Sequence, residues 1–243
     1  MDTNTSPIST AIIIAAGKGT RLGALTATQP KCLIPLLGKP MLGHMIDRLS
    51  ASGVTRIVVV VEYLAEQVET YARTRSEEIV CVRQSQAVGE KYGTGAAVAA
   101  ATTVLGSNES ALVLYGDSLF STDTLRALVH ASGNVLCASR AASVRGYGEV
   151  IVDAKNNFVR IDEKPTDDHA GYINAGLYAC TPELLHLAAH VKVSARNEYE
   201  FTDAVVDAHS KGAVVNVHLI DSSEWTTVTS IEDIPNTEAY VSR

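Results

Sequence analysis

Apolar residues along this chain follow two alternating rhythms. Short continuous runs, Ala11–Ala16, Arg56–Val61, Ile79–Arg83 and Ala111–Tyr115, have the length and β-branched content of buried strands. Between them, apolar positions recur at helical spacing. In Met41–Ser52, Leu42, Met45, Ile46 and Leu49 share a face, with Pro40 near the start and Gly53 just past the end. Leu64–Arg73 repeats the pattern with Leu64, Val68 and Tyr71 or Ala72. Gly95–Val104 reads as an alanine-rich helix, and Thr122–Ser132 as another, followed by Gly133. Strands alternating with helices predict βαβ units and an α/β fold built on a mixed, mainly parallel sheet flanked by helices.

From about Gly146 the rhythm changes. Gly148–Val152 and Phe158–Asp162 flank the turn-rich Asp153–Asn157, which predicts a hairpin. Tyr172–Cys180 is a further strand. Thr181-Pro182-Glu183 opens a helix with a threonine cap and proline in the first turn. Phe201–Lys211 is a helix ended by Gly212, and Val214–Leu219 a strand. No linker-like tract or internal repeat divides the chain, so 1–243 reads as one domain.

Ligands of parallel α/β sheets bind beyond the carboxyl ends of the strands. Three segments fall there: the loop after the first strand, Gln84 after the third, and Gly116-Asp117 after the fourth. The first loop, Ala15-Ala16-Gly17-Lys18-Gly19-Thr20-Arg21-Leu22, is the most informative. Gly17 and Gly19 let backbone approach an anion in conformations a side chain would forbid, and successive N–H groups can form an anion-binding nest. Lys18, Arg21 and Lys31 place three cations here in a chain of net charge −7. Arg21 could fork onto phosphate oxygens while Lys31 acts as a point charge. The loop has neither the Walker A order nor the dinucleotide-binding glycine spacing.

Asp117, after a buried strand and a glycine, is placed either to hold Mg²⁺ against a triphosphate or to cap the turn before Ser118. The amide of Gln84 could read a base edge; Gln86 competes for that role. Asn174, inside the apolar run Tyr172–Cys180, needs partners, either ligand hydroxyls or a structural hydrogen bond.

The acidic balance, without a basic block, argues against nucleic acid as partner. No apolar run reaches bilayer length, and Met1 to Ser9 lacks the apolar core of a secretory leader. Of four cysteines (Cys32, Cys81, Cys137, Cys180), none has C-x-x-C spacing, so neither a zinc nor a redox site is expected, and a reduced cytoplasmic setting is. His186 and His190 could share a helix face, but no third metal ligand lies near in sequence.

The glycine-rich loop followed by Pro30-Lys31-Cys32-Leu33-Ile34-Pro35 and Gly38-Lys39-Pro40 resembles the sugar-1-phosphate nucleotidylyltransferases. The resemblance extends through Tyr92-Gly93-Thr94-Gly95, Gly116-Asp117, Tyr147-Gly148-Glu149-Val150, Glu163-Lys164-Pro165, Asn174-Ala175-Gly176-Leu177-Tyr178 and Glu198-Tyr199-Glu200-Phe201-Thr202-Asp203, in the family's order and over most of the chain. It implies a Rossmann-like fold with a nucleotide-binding half, about 1–135, and an acceptor-binding half, about 136–243, carrying β insertions. It implies that Ala15, Ala16, Gly17, Gly19, Thr20, Arg21, Lys31, Gln84, Gly93 and Thr94 bind the nucleoside triphosphate. Gly148, Glu163, Lys164 and Asn174 would bind a phosphorylated acceptor, with Lys164 on its phosphate. Asp117 would bind Mg²⁺, and Arg21, Lys31, Asp117 and Lys164 would carry catalysis.

The chain departs from that pattern near its end. The family shows a second metal-binding Asp two residues after a tryptophan; here Thr227 follows Trp225. Either Asp221 or Glu224 substitutes, or the metal rests on Asp117, phosphates and water, or catalysis is impaired. The reading is an enzyme joining a nucleoside triphosphate to a sugar 1-phosphate with release of pyrophosphate. The alternatives are a cytidylyltransferase acting on a phosphoalcohol or phosphonate, and a nucleotide-sugar-binding regulatory subunit. Base, sugar and oligomeric state are not legible.

Overall fold

A computed structural model describes residues 6–243. The expectation that Met1 to Ser9 holds no leader falls partly outside them. The chain opens with β1 (Thr10–Ile14), a β2–β3 hairpin (Pro35–Leu36, Lys39–Pro40) and α1 (Met41–Ala51). It continues through β4 (Arg56–Val61), α2 (Ala65–Arg73), β5 (Glu78–Arg83), α3 (Gln84–Val88) and α4 (Thr94–Thr102). Next come β6 (Ala111–Tyr115), β7 (Ser118–Phe120) and α5 (Thr122–Val129), the last capped by the Ser121 hydroxyl on the Thr124 N–H at 3.0 Å.

The second half supplies β8 (Asn134–Ala141), β9 (Gly148–Val152), β10 (Phe158–Glu163) and the long β11 (Gly171–Cys180). It ends with α6 (Pro182–Leu187), α7 (Phe201–Ser210), β12 (Val215–Ile220), β13 (Trp225–Thr227) and α8 (Ile234–Val241).

β5, β4, β1 and β6 run parallel, and β11 joins β6 antiparallel. Alternate residues of these strands feed two separate cores. Ile13, Val59 and Leu114 pack on the side of α1, α2 and α5, while Ile12, Val58 and Val113 pack on the side of α4, α6 and α7. Burial on both faces explains the continuous apolar runs. α4 is buried from Gly95 to Ala101, and its small side chains let it lie close: a Cβ on Gly95 would stand 3.0 Å from the Tyr199 carbonyl oxygen.

β11 changes partners along its length. Leu177–Cys180 pairs with β6, while Ile173 on the same edge pairs with β9; β8 lies along the other edge, with β12 parallel outside it. The pairing with β8 shifts register between Asn174 and Tyr178. Gly176 stands there at φ 78°, where a Cβ would meet the Tyr115 ring at 2.5 Å. The two β-strands of three residues, β7 and β13, the last helix and β8 go beyond the elements that the sequence pattern predicts.

Candidate active site

The register of the parallel strands assembles the site. β1 pairs with β6 so that Ile14 lies opposite Tyr115; the glycine-rich loop therefore leaves β1 beside the point where Gly116-Asp117 leaves β6. The Gly116 N–H donates to the Ile14 carbonyl at 2.9 Å. Lys31, at the start of a short 3-10 turn, reaches Asp117 Oδ2 at 2.6 Å.

Two adjoining cavities of about 400 Å³ each open here. The first is lined by the loop residues Ala15, Gly17, Gly19, Thr20 and Arg21 together with Lys31. The second is lined by Gly148, Glu163, Asn174 and Thr227. Arg21, Thr94, Tyr115, Asp117, Lys164 and Glu198 border both. Among the described residues, Arg21 and Lys164 have no carboxylate within ion-pair range, which leaves both cations free for an anionic ligand.

The loop glycines differ from the expectation. Gly19 has φ 63°, and a Cβ there would lie 3.0 Å from Lys31 Cβ, so glycine is demanded by the fold. Gly17 has an ordinary φ and open space where a Cβ would be, so its backbone conformation does not require glycine. Ala16 is buried in the core.

The two glutamines also differ. Gln84 is 4% exposed and donates Nε2 to the Lys91 carbonyl at 2.8 Å, bracing the loop that follows α3, and Gln86 is exposed; neither lines a cavity. Gly93 lies at φ 119° against the Tyr199 backbone, where a Cβ would stand 2.4 Å from the carbonyl oxygen, and it too lines neither cavity. Thr94 does face the cleft, and its hydroxyl accepts from the Phe201 N–H at 2.9 Å.

On the second side, Asn174 makes the structural hydrogen bonds that are one of its two expected roles. Its Oδ1 accepts from the Gly176 N–H at 2.9 Å and its Nδ2 donates to the Tyr178 hydroxyl at 2.5 Å, yet it borders the cavity. Its remaining amide proton and lone pair can serve a ligand. Burial pushes the Tyr115 hydroxyl up to about 12, so it faces the cleft protonated. Glu163 accepts from the Thr202 hydroxyl at 2.8 Å and stands 3.7 Å from Arg196. Arg196 also pairs with Glu200 and, at 3.9 Å, Glu198. Arg196 lines the cavity and was not singled out from sequence, although it stands two residues before the quoted Glu198 motif.

The region around the missing carboxylate is clear in geometry. β13 pairs with β7 so that Thr227 faces Ser118, and the Thr227 hydroxyl donates to the Asp117 carbonyl at 3.1 Å. Asp221 is exposed and lines neither cavity. Glu224 accepts from the Asp221 N–H at 2.8 Å and the Thr124 hydroxyl at 3.1 Å, which occupies it at the base of α5. The sequence candidates for a second carboxylate are thus not brought to Asp117. Asp233 accepts from the N–H groups of Thr229 and Ser230. Burial raises its pKa, but these bonds outweigh it and hold the carboxyl below its ordinary value. Among the described residues, no group of three or more His, Cys, Asp or Glu could hold a metal ion.

The four cysteines are free thiols, and burial pushes Cys32 up to about 12 and Cys81 to about 11. Among the described residues, no helix is long and apolar enough to cross a membrane.

The cleft of this α/β protein thus brings together a glycine-rich loop, the cations Arg21 and Lys164, unpaired among the described residues, and Asp117 at the end of a parallel strand. The family model described as nucleotidyl transferase matches residues 10–242, and the chain belongs to that family. It is 32% identical over 196 residues to a bifunctional sugar-1-phosphate nucleotidylyltransferase/acetyltransferase of Sulfurisphaera tokodaii, covering 80% of this chain and 46% of that protein. It is also 32% identical over 231 residues to the bifunctional protein GlmU of Methanocaldococcus jannaschii, covering 95% and 54%. The chain thus spans about half the length of these curated relatives. A UDP-glucose pyrophosphorylase solved with UDP-glucose superposes with TM-score 0.83 at 20% identity, covering 97% of this chain and all of that one (100%). The inositol-1-phosphate CTP transferase of T. maritima gives 0.80 at 20% identity, covering 97% and 96%. These two likenesses show the shared fold, a mixed and mainly parallel sheet flanked by helices.

Proposed function

We propose that this chain joins a nucleoside triphosphate to a sugar 1-phosphate, giving a nucleoside diphosphate sugar and pyrophosphate. The observation that carries the reading is the sharing of Arg21, Asp117 and Lys164 between the two cavities. Free cations and a carboxylate thus stand where a triphosphate from one side meets a phosphate from the other. The name of the 32% identical Sulfurisphaera tokodaii relative supports the sugar 1-phosphate as acceptor. A phosphate oxygen of the acceptor attacks the α-phosphorus; the bond to the bridging oxygen breaks, and pyrophosphate leaves with that oxygen. No protein nucleophile is needed, because catalysis is positioning plus charge neutralisation. Arg21 and Lys31 hold the triphosphate, Lys164 the acceptor phosphate, and Glu163 and Asn174 the acceptor hydroxyls.

The donor set suits Mg²⁺ brought in with the triphosphate. Mg²⁺ keeps waters and commonly takes one or two carboxylates plus substrate phosphates, and of the two carboxylates that border both cavities, Asp117 and Glu198, Asp117 is the one paired with Lys31. When bound there, the ion would neutralise charge on the transferring phosphates. Thr227→Asp would place a carboxylate across from Ser118, and titration with Mg²⁺ is expected to show half-maximal activity at lower metal concentration. If activity is absent in the parent and appears in Thr227→Asp, the chain is a nucleotide-sugar-binding subunit instead.

A matrix of triphosphates against phosphorylated acceptors, read by pyrophosphate release, tests the reaction; turnover with phosphoalcohols alone would replace the sugar. The division of the cleft has its own test. Lys164→Ala is expected to raise the acceptor KM roughly tenfold or more with little change for the triphosphate, and Arg21→Ala the reverse, the scale of losing a charge-assisted contact. Equal effects of both substitutions on both substrates would refute the division.

A further inference from the structure

One buried carboxylate has no part in that scheme. Glu149 on β9 is 7% exposed, and its sole hydrogen-bond partner among the described residues is His169, with Nε2 2.9 Å from Oε1. His169 lies in the segment joining β10 to β11 and is half-exposed. Space for the pair exists because residue 171 is glycine: a Cβ there would stand 2.8 Å from Glu149 Oε1 and 2.8 Å from Val144.

The same pair sits where two cleft-forming segments meet. Residues 142–148 carry Arg145, Tyr147 and Gly148 on the acceptor cavity, and the segment after β10 carries Lys164. The Val144 N–H donates to the His169 carbonyl at 3.0 Å, and the Ser143 hydroxyl donates to Asp168 at 2.5 Å. The Lys164 N–H donates to the Tyr147 carbonyl at 3.0 Å, with Lys164 itself at φ 48°.

We propose that His169 is a positioning residue: by engaging Glu149 it clasps residues 142–148 to residues 164–171 and so fixes the wall that meets the phosphorylated acceptor. The proposal rests on the assignment of this cavity to the acceptor. A carboxylate so buried is costly without a partner, so loss of His169 drives the segments apart to let water reach Glu149.

The clasp responds to pH. His169 faces Glu149 from β9 and Asp167 from its own segment, and its hydrogen bond to Glu149 pushes its pKa above the ordinary value. Asp168 is taken by Ser143, and Arg160 on β10, the cation acting on Glu149, is forked onto Asp162. A raised folded pKa means the charge-assisted bond is complete below the unfolded value of about 6.5 and weakens as pH rises through the folded value. Neutral imidazole still donates from Nε2, so the clasp loosens without opening fully.

The test combines kinetics with a measurement made without substrate. His169→Ala is expected to raise the acceptor KM roughly tenfold, inside the ~10²-fold that a 1 Å misplacement can cost, with the triphosphate KM within about twofold. His169→Gln keeps a donor and loses the titration; it is expected to bind acceptor as the parent does at high pH and to lose the parent's pH step. Hydrogen exchange of the free protein should show the Val144 and Tyr147 amides more protected in the parent than in His169→Gln below pH ~6.5, with the difference closing as pH rises through the raised folded value. Equal changes in both KM values, a pH step retained in His169→Gln, or identical exchange in the two proteins would each overturn the clasp. If no substrate pair turns over, the functional reading falls while the exchange comparison still decides the clasp.

Discussion

Asp117→Asn is expected to lower turnover by roughly 10²-fold or more, the scale of removing an electrostatic contact to a transferring group, while the protein stays folded. Its carboxylate borders both cavities and pairs with Lys31 at 2.6 Å. The substitution keeps shape and removes charge. The Asn carbonyl oxygen can still accept from Lys31, so that cation keeps a partner. The backbone of residue 117 is held independently, its carbonyl accepting from the Val228 N–H at 2.9 Å and the Thr227 hydroxyl at 3.1 Å. Thermal midpoint should therefore move little, and nucleotide binding measured without Mg²⁺ should survive. Near-parental turnover at saturating Mg²⁺ would remove Asp117 from the mechanism.

The sequence made the nucleotide side of this cleft legible for a physical reason. β1, β4 and β6 are buried on both faces, so their apolar runs stand out, and the loops after β1 and β6 carry the site by the geometry of parallel sheets. Asn174 stands out as a polar residue inside an apolar run, and the family resemblance added Glu163 and Lys164. What it missed depends on short or non-local structure. β7 and β13 are three residues each, too short to show a period, yet their pairing sets Thr227 over Asp117. Gln84 follows a strand end, where its amide is expected to face a ligand; the short α3 that begins there turns it inward onto Lys91. The Arg196 and Glu163 pair joins residues 33 positions apart along the chain, and no local pattern encodes it.

Gly116→Ala is expected to damage stability and catalysis together, because this glycine is where the fold and the site share atoms. A Cβ at 116 would stand 2.4 Å from the Ile14 carbonyl oxygen, 3.1 Å from its carbon and 3.2 Å from Ala15 Cα. All three are backbone of a central strand at the mouth of the phosphate loop, so no flexible side chain can yield. Overpacking costs about 1–3 kcal/mol and occasionally more, and the upper end applies here. At about 2–4 °C per kcal/mol for a chain of this size, the melting midpoint should fall by roughly 6–12 °C. The folded fraction should also lose turnover by about 10-fold to 10²-fold, since separating β1 from β6 moves Arg21 away from Asp117, and misplacement near 1 Å is that costly. Gly17→Ala is the counterpart: it meets nothing within 4 Å at an ordinary φ. Its stability should match the parent within about 0.5 kcal/mol, and any loss should appear in the triphosphate KM, where the new methyl group takes up room beside the phosphates. Thermal denaturation and steady-state kinetics on both variants separate the two roles. A Gly116→Ala protein with parental melting and turnover would mean that the β1–β6 register does not couple the loop to Asp117.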